Sequence, residues 1–360
     1  MSAAGEKAAD DVSTYNELGQ IVFSVSSSAT ENSRNLNILC NNDEPKTIVI
    51  PAGSTVTLRN AIVIGSNTTI LADGATIVMT QSGKRIIYNR TDVASYQGTT
   101  NVTIKGGTWK TAGDYWGESL IRLAYGSHFL LDGMTVIGNY GGHDVELIAM
   151  QDVTVQNCTL TCSGRTSKNS VEEALQIDVA APRTAPHLDA PYGEGLTCEN
   201  ISILNNTIQG SRGVCANFAG QDGEKYKNKF HRNITVIGNT MIGMSAEGCV
   251  LYNTINPVVK NNTIITYSKR KKLSYSTALN ISIIGKAPKK LIKNATVVVE
   301  NNECKGVKHG MQIVSLTKSK YKKATVLKNT FSALDKKRAY TISKAAVNSA
   351  VDKGNKSKKR

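Results

Sequence analysis

The chain has 360 residues, 40% hydrophobic and 20% charged with 7 Pro, a globular composition that excludes wholesale disorder. No apolar run approaches the roughly 18 residues of a membrane-spanning helix, so no membrane span is expected. The net charge of +15 is uneven: residues 261–360 hold 24 Lys and Arg against 4 Asp and Glu, and the other 260 hold 19 against 24. A polyanion such as an acidic polysaccharide or a cell-wall polymer is the expected contact of that basic third.

In chain order, MSAAGEKAADD lacks a basic region followed by an apolar core, so it is not a secretory signal as written. Residues 10–30 are expected to form a short amphipathic helix that caps the first coil, and TIVIPAGSTVTL begins the winding. One phrase then recurs: a β-branched strand, a polar or glycine pair, then Thr and an apolar residue. Copies include VTIKGGTW, VTVQNCTL, ISILNNTI, ITVIGNTM and TVLKNTF.

The Thr of the phrase falls at 76, 108, 135, 159, 207, 240, 263 and 330, with Glu303 taking its place once. The gaps have a floor near 24 residues, the signature of a solenoid whose coils lengthen by insertion. A second strand follows each phrase, as in SLIRLAY, DVELIAM, EALQIDV, GVCANFA and GMQIVSL. These units are too short for βαβ crossovers.

The expected fold is all-β: a single-stranded right-handed parallel β-helix of about nine to ten coils with a short N-terminal helical cap. It is a single domain over 1–347, with a Pro- and Gly-rich inserted loop at 163–199 and a basic disordered tail at 348–360. Asn157, Asn205, Asn261 and Asn301 share one register and are expected to ladder from coil to coil. The seven cysteines are odd in number and include no CxxC, so they read as buried free thiols.

Period-2 alternation sorts the second strands into inward and outward residues. Ile121, Leu123, Val145, Leu147, Leu175 and Ile177 point in. Arg122, Glu146, Gln176 and Asp178 then point out, with Asn217 continuing the row and Asp144 two residues along it. Glu146 and Asp178, with Glu173 and Asp144 in reserve, are the candidate acid–base carboxylates for glycoside hydrolysis. Arg122 would orient an acidic substrate. Arg212 and His143 fall in the same neighbourhood, where a lyase would need a cation and a base.

Gln176 and Asn217 supply donors and acceptors for sugar hydroxyls. Tyr115, Trp116, Tyr140 and Tyr192 are the candidate sugar-stacking rings. Asp144, Glu146 and Asp178 could hold calcium, but no calcium-loop motif supports it, and no metal or other cofactor is expected. Nucleic-acid binding would rest on charge alone and is not expected.

The phrases PAGSTVTL, SNTTILADGATI, HDVELIAMQDVTVQNCTL, EALQID and NISILNNTIQGSRGV resemble bacterial members of the pectin-lyase-like superfamily over about residues 45–335. The resemblance implies the β-helix and a protein of the cell surface or exterior that acts on or binds polysaccharide. Gly142-His143-Asp144 half resembles one polygalacturonase triplet; the others are not found. The expected function is therefore a polysaccharide-degrading glycoside hydrolase, with a uronate lyase and a non-catalytic glycan-binding surface module as alternatives.

Overall fold

The computed structural model describes residues 13–113, 118–138, 141–162, 171–186, 188, 192, 195–271 and 274–360. Its strands wind into a parallel β-helix of three stacked strand columns. Among the described residues one column holds the phrase strands, eleven of them, from Thr55–Leu58 to Lys356–Lys359. The count exceeds the nine to ten coils expected, because the first and last coils carry no full copy of the phrase.

Register follows the phrase residue for residue. Thr76, Thr108, Thr135 and Thr159 stand side by side, and Thr207, Thr240, Thr263, Glu303 and Thr330 continue the row. The next residue of each strand points inward: Ile77, Trp109, Val136, Leu160, Ile208, Met241, Ile264, Cys304 and Phe331 stack in one continuous core. Each coil alone would expose that face, so burial requires stacking. All seven cysteines are buried, and none forms a disulfide.

The turns place the polar residues. In each Asn-Asn pair the first Asn adopts a left-handed φ near 55°, as at Asn205, Asn261 and Asn301. The second Asn points inward and ladders. Asn206 donates through both its backbone N–H and Nδ2 to Asn239 Oδ1, at 2.8 and 2.9 Å. Asn239, Asn262, Asn302, Asn329 and Asn355 repeat the pattern. The ladder therefore runs one residue later than expected, since the turn takes the first Asn for its left-handed conformation.

The cap differs from expectation. Ser13–Tyr15 and Ile21–Phe23 pair as an antiparallel hairpin, and the helix is Ala29–Cys40, with Ser28 as its N-cap. The IVF run is β-branched and aromatic, which favours strand over helix. The helix covers the edge of the first coil through side chains. Asn37 donates to Ala61 O at 2.9 Å and accepts from Val63 N at 2.8 Å, and Ser33 Oγ accepts from Arg59 N and Asn60 N. These bonds satisfy backbone groups that a next strand would otherwise pair.

Nor is 348–360 a disordered tail: Val347–Lys353 pairs with Tyr321–Leu327, and Lys356–Lys359 with Thr330–Ala333. Lysine-rich composition concealed this, because edge pairing and the last rung of the amide ladder, Asn355, hold the segment more than apolar burial does. No helix among the described residues is long and apolar enough to cross a membrane.

Candidate functional site

The second strands form a column whose outward residues line up across coils. Tyr88, Arg122, Glu146, Gln176, Cys215, Val250, Asn280 and Gln312 share one register. Arg122, Glu146 and Gln176 stand side by side as expected, but Cys215 takes the place assigned to Asn217. Asn217 lies two residues further on, where its side chain hydrogen bonds to Asp178. Alternation gives Asn217 its outward side, but the register sets Cys215, not Asn217, beside Gln176.

A parallel row runs three residues before. Glu173 stands beside Arg212, whose Nη1 lies 2.5 Å from Glu173 Oε1 and whose Nε donates to Glu247 Oε2 at 2.9 Å. His143 Nδ1 is 3.4 Å from Glu173 Oε2, so His143, Glu173 and Arg212 do come together. Burial opposes the Arg212 charge, but Glu247, Cys215 and Glu173 outweigh it and hold the guanidinium well above its ordinary range. Tyr275 closes over it, with the guanidinium carbon 5.6 Å from the ring centre.

Glu247 was not singled out from sequence. It precedes the strand Cys249–Tyr252 by two residues, as Glu173 precedes Leu175 and Arg212 precedes Val214, so aligning the coils would have found it. Its other oxygen receives Asn280 Nδ2 at 3.4 Å, and Asn280 Oδ1 accepts from Gln312 and Ser282.

Arg122 Nε lies 3.1 Å from Glu146 Oε2, an ion pair whose angle falls outside hydrogen-bond geometry. Asp178 accepts from Gln176 Nε2 at 3.2 Å. Burial first, and then the neighbouring Glu146 carboxylate, push Asp178 well above the usual carboxylate range, against a smaller lowering by the Asn217 and Gln176 side chains. Glu172 is raised by burial as well.

The face is roofed. Arg122 Nη2 donates to Pro186 O at 2.6 Å. Ala185, Leu188 and Tyr192 pack over Ala124, Tyr125, Ile148 and Ala149. Glu146 is 5% exposed, Asp178 1% and Glu247 0%. A cavity of about 110 Å³ survives beside Arg122, lined also by Arg85, Tyr88, Thr91 and Leu188.

Asp144 is not on this face. It continues the inward positions of Leu120 and Ala174, lies fully buried, and sits against Gly138. The backbone pairs it with Leu120 because the inward–outward alternation begins only at Val145. Asp144 therefore does not share a site with Glu146 and Asp178. No group of three His, Cys, Asp or Glu among the described residues is placed to hold a metal ion.

Tyr192 lines a separate cavity of about 420 Å³ with Tyr96, Glu199 and Arg232 rather than joining the carboxylates. Tyr115, Trp116 and Tyr140 lie outside the described residues.

Burial raises Asp144 well above its ordinary value, against a smaller lowering by the Gly138 N–H. Between those two values the native state keeps a proton that the unfolded chain releases, so stability falls as pH rises through that window, by about 1.4 kcal/mol per pH unit from this group. Asp144→Asn is expected to melt higher than the wild type at pH 8, with the gap closing towards pH 4. A gap that stays constant with pH would show that Asp144 is not held protonated.

No protein-family model matches the sequence, and no curated protein matches it. Among solved structures the chain is similar to PfbA, a surface adhesin of Streptococcus pneumoniae, with 12% identity, TM-score 0.62, and 97% of this chain and 92% of that one covered. It is similar to a tailspike double mutant of E. coli bacteriophage HK620, with 12% identity, TM-score 0.50, and coverage of 97% and 66%. It is also similar to polygalacturonase from Erwinia carotovora ssp. carotovora, with 14% identity, TM-score 0.48, and coverage of 93% of each chain. The chain thus has a right-handed parallel β-helix fold, shared with the PfbA adhesin.

Proposed function

We propose that the protein is a glycan-binding β-helix of the cell surface or exterior that holds an acidic polysaccharide without cleaving it. The observation that carries this is the roof. The carboxylates that would have to reach a glycosidic oxygen are 5% exposed or less, and Glu146, Glu173 and Glu247 are engaged by Arg122 or Arg212. A general acid or base must come within hydrogen-bond reach of the proton it moves. The likeness to a surface adhesin agrees with a binding role, and the basic C-terminal third supplies the complement to an acidic chain.

The hydrolase expected from sequence is the second reading, favoured by one feature. Asp178 is pushed upward by burial while Glu146 beside it is paired with Arg122, and two neighbouring carboxyls in unlike environments are what acid–base hydrolysis requires. Incubation with a panel of neutral and acidic polysaccharides separates the two. Binding with no release of reducing ends and no near-ultraviolet absorbance is the expected result. Release of reducing ends that is lost in Glu146→Gln and Asp178→Asn would overturn the binding reading in favour of the hydrolase.

A further inference from the structure

We infer that a lysine-walled cavity between the last coils is the acidic-polysaccharide site, an assignment that rests on the binding function proposed above. The cavity holds about 720 Å³ and lies on the connections that leave the second strands, away from the roofed carboxylates. Lys286 and Lys293 come from one coil, Lys318 and Lys320 from the next, and Asn348 from the one after. Three successive coils thus contribute to a single concavity.

Its walls are fixed by local bonds. Ser315 Oγ donates to Ser319 O at 2.9 Å, and Ser319 N donates to Thr317 Oγ1 at 3.1 Å. Thr317 Oγ1 donates to Gly285 O, and Ala287 N donates to Ser319 Oγ, which ties the turn to the coil beneath. A site already ordered loses less entropy on binding. Ala287 and Ile292 are buried in its floor.

The charge is uncompensated. Among the described residues none of the four lysines pairs with a carboxylate, whereas Lys260 pairs with Glu300 and Lys305 with Glu303 on the same third of the chain. Four like charges around one concavity repel one another, and an anionic ligand relieves that repulsion. No aromatic ring lines the cavity, so it offers no stacking platform for nucleic-acid bases. Hydroxyl, amide and short apolar surface between ammonium groups instead suits sugar rings that carry carboxylate or sulfate.

The test uses the full chain and three variants. The first replaces Lys286, Lys293, Lys318 and Lys320 with Gln. The second replaces Arg59, Lys84, Lys105 and Arg183, all exposed, with Gln and so removes the same net charge far from the cavity. The third is Lys318→Glu alone, at an exposed turn. Binding is measured to polygalacturonate, dextran sulfate, neutral dextran and a single-stranded DNA oligonucleotide. Polygalacturonate and dextran sulfate separate carboxylate from sulfate recognition.

The wild type is expected to bind at least one acidic glycan, more weakly as salt rises, and not neutral dextran. The cavity variant should lose about tenfold or more in affinity, Lys318→Glu should lose several-fold, and the distant variant should stay within about threefold of wild type. Equal losses in the cavity and distant variants would reduce the effect to net charge and overturn the assignment while leaving glycan binding intact. DNA binding as tight as the best glycan, lost in the cavity variant, would overturn the ligand class. A wild type that binds no glycan would sink the proposed function itself.

Discussion

Arg212→Met is expected to cost about 3–5 kcal/mol of stability, because it removes the single cation between two buried carboxylates. Glu173 would keep His143 as its partner, and Glu247 would keep Asn280 and the Tyr252 hydroxyl, 3.5 Å away. Both carboxyls would then have to protonate or draw in water. The deficit should therefore be larger at pH 8 than at pH 5, where protonation becomes cheap. Adding Glu173→Gln and Glu247→Gln to Arg212→Met should recover most of the loss, since no buried charge is then left unpaired. The midpoint of urea unfolding reads all three. A single variant as stable as the wild type at pH 8 would show that Arg212 merely decorates the face.

The second large effect falls at the middle of the amide ladder. Asn262 Oδ1 accepts from both the backbone N–H and Nδ2 of Asn239, and Asn262 Nδ2 donates to Val236 O and Asn302 Oδ1. Asn262→Ala leaves several buried polar groups without partners at once, at about 1–3 kcal/mol each before relaxation. A total loss of about 3–5 kcal/mol is expected, together with faster proteolysis near that coil. Asn261→Ala next to it removes no rung, but gives up an Asn in the left-handed region at φ 55°, and should cost only about 1 kcal/mol. Equal costs for the two would refute the inward ladder.

Much of the fold was legible because a solenoid writes its register into the sequence. The recurring Thr predicted side-by-side partners along the stack, since a fixed phrase can stack only in phase. What misled was local. An Asn-Asn pair contains two chemically identical residues, and only backbone conformation decides which of them turns and which ladders. Residues 348–360 look unstructured by composition, yet an open strand edge and one amide rung hold them.

The candidate site was legible in part. Alternation placed Arg122, Glu146 and Gln176 correctly, because all three lie within regular strand. It failed at Asp144, which lies just before its strand where the period of two lapses, whereas Asn217 keeps its outward parity but stands two residues out of the expected register. Glu247 escaped because its role depends on a partner in another coil. The roof was not legible at all: whether an inserted segment folds over a face or away from it depends on long-range packing, here of Ala185 and Leu188 on Ile148.

The buried cysteines have a use as reporters. Burial raises the Cys158 thiol to about 11 and those of Cys40, Cys198 and Cys249 to about 12, with Cys215 and Cys304 also pushed well up. The reactive thiolate is then scarce in the folded chain. Cys40 ends the capping helix, Cys158 and Cys162 share one coil, and Cys198, Cys215, Cys249 and Cys304 follow further along the stack, so alkylation at each reads the opening of its own stretch. The molecule carries a built-in ruler along its axis, on which fraying from an end and rupture in the middle leave different labelling orders.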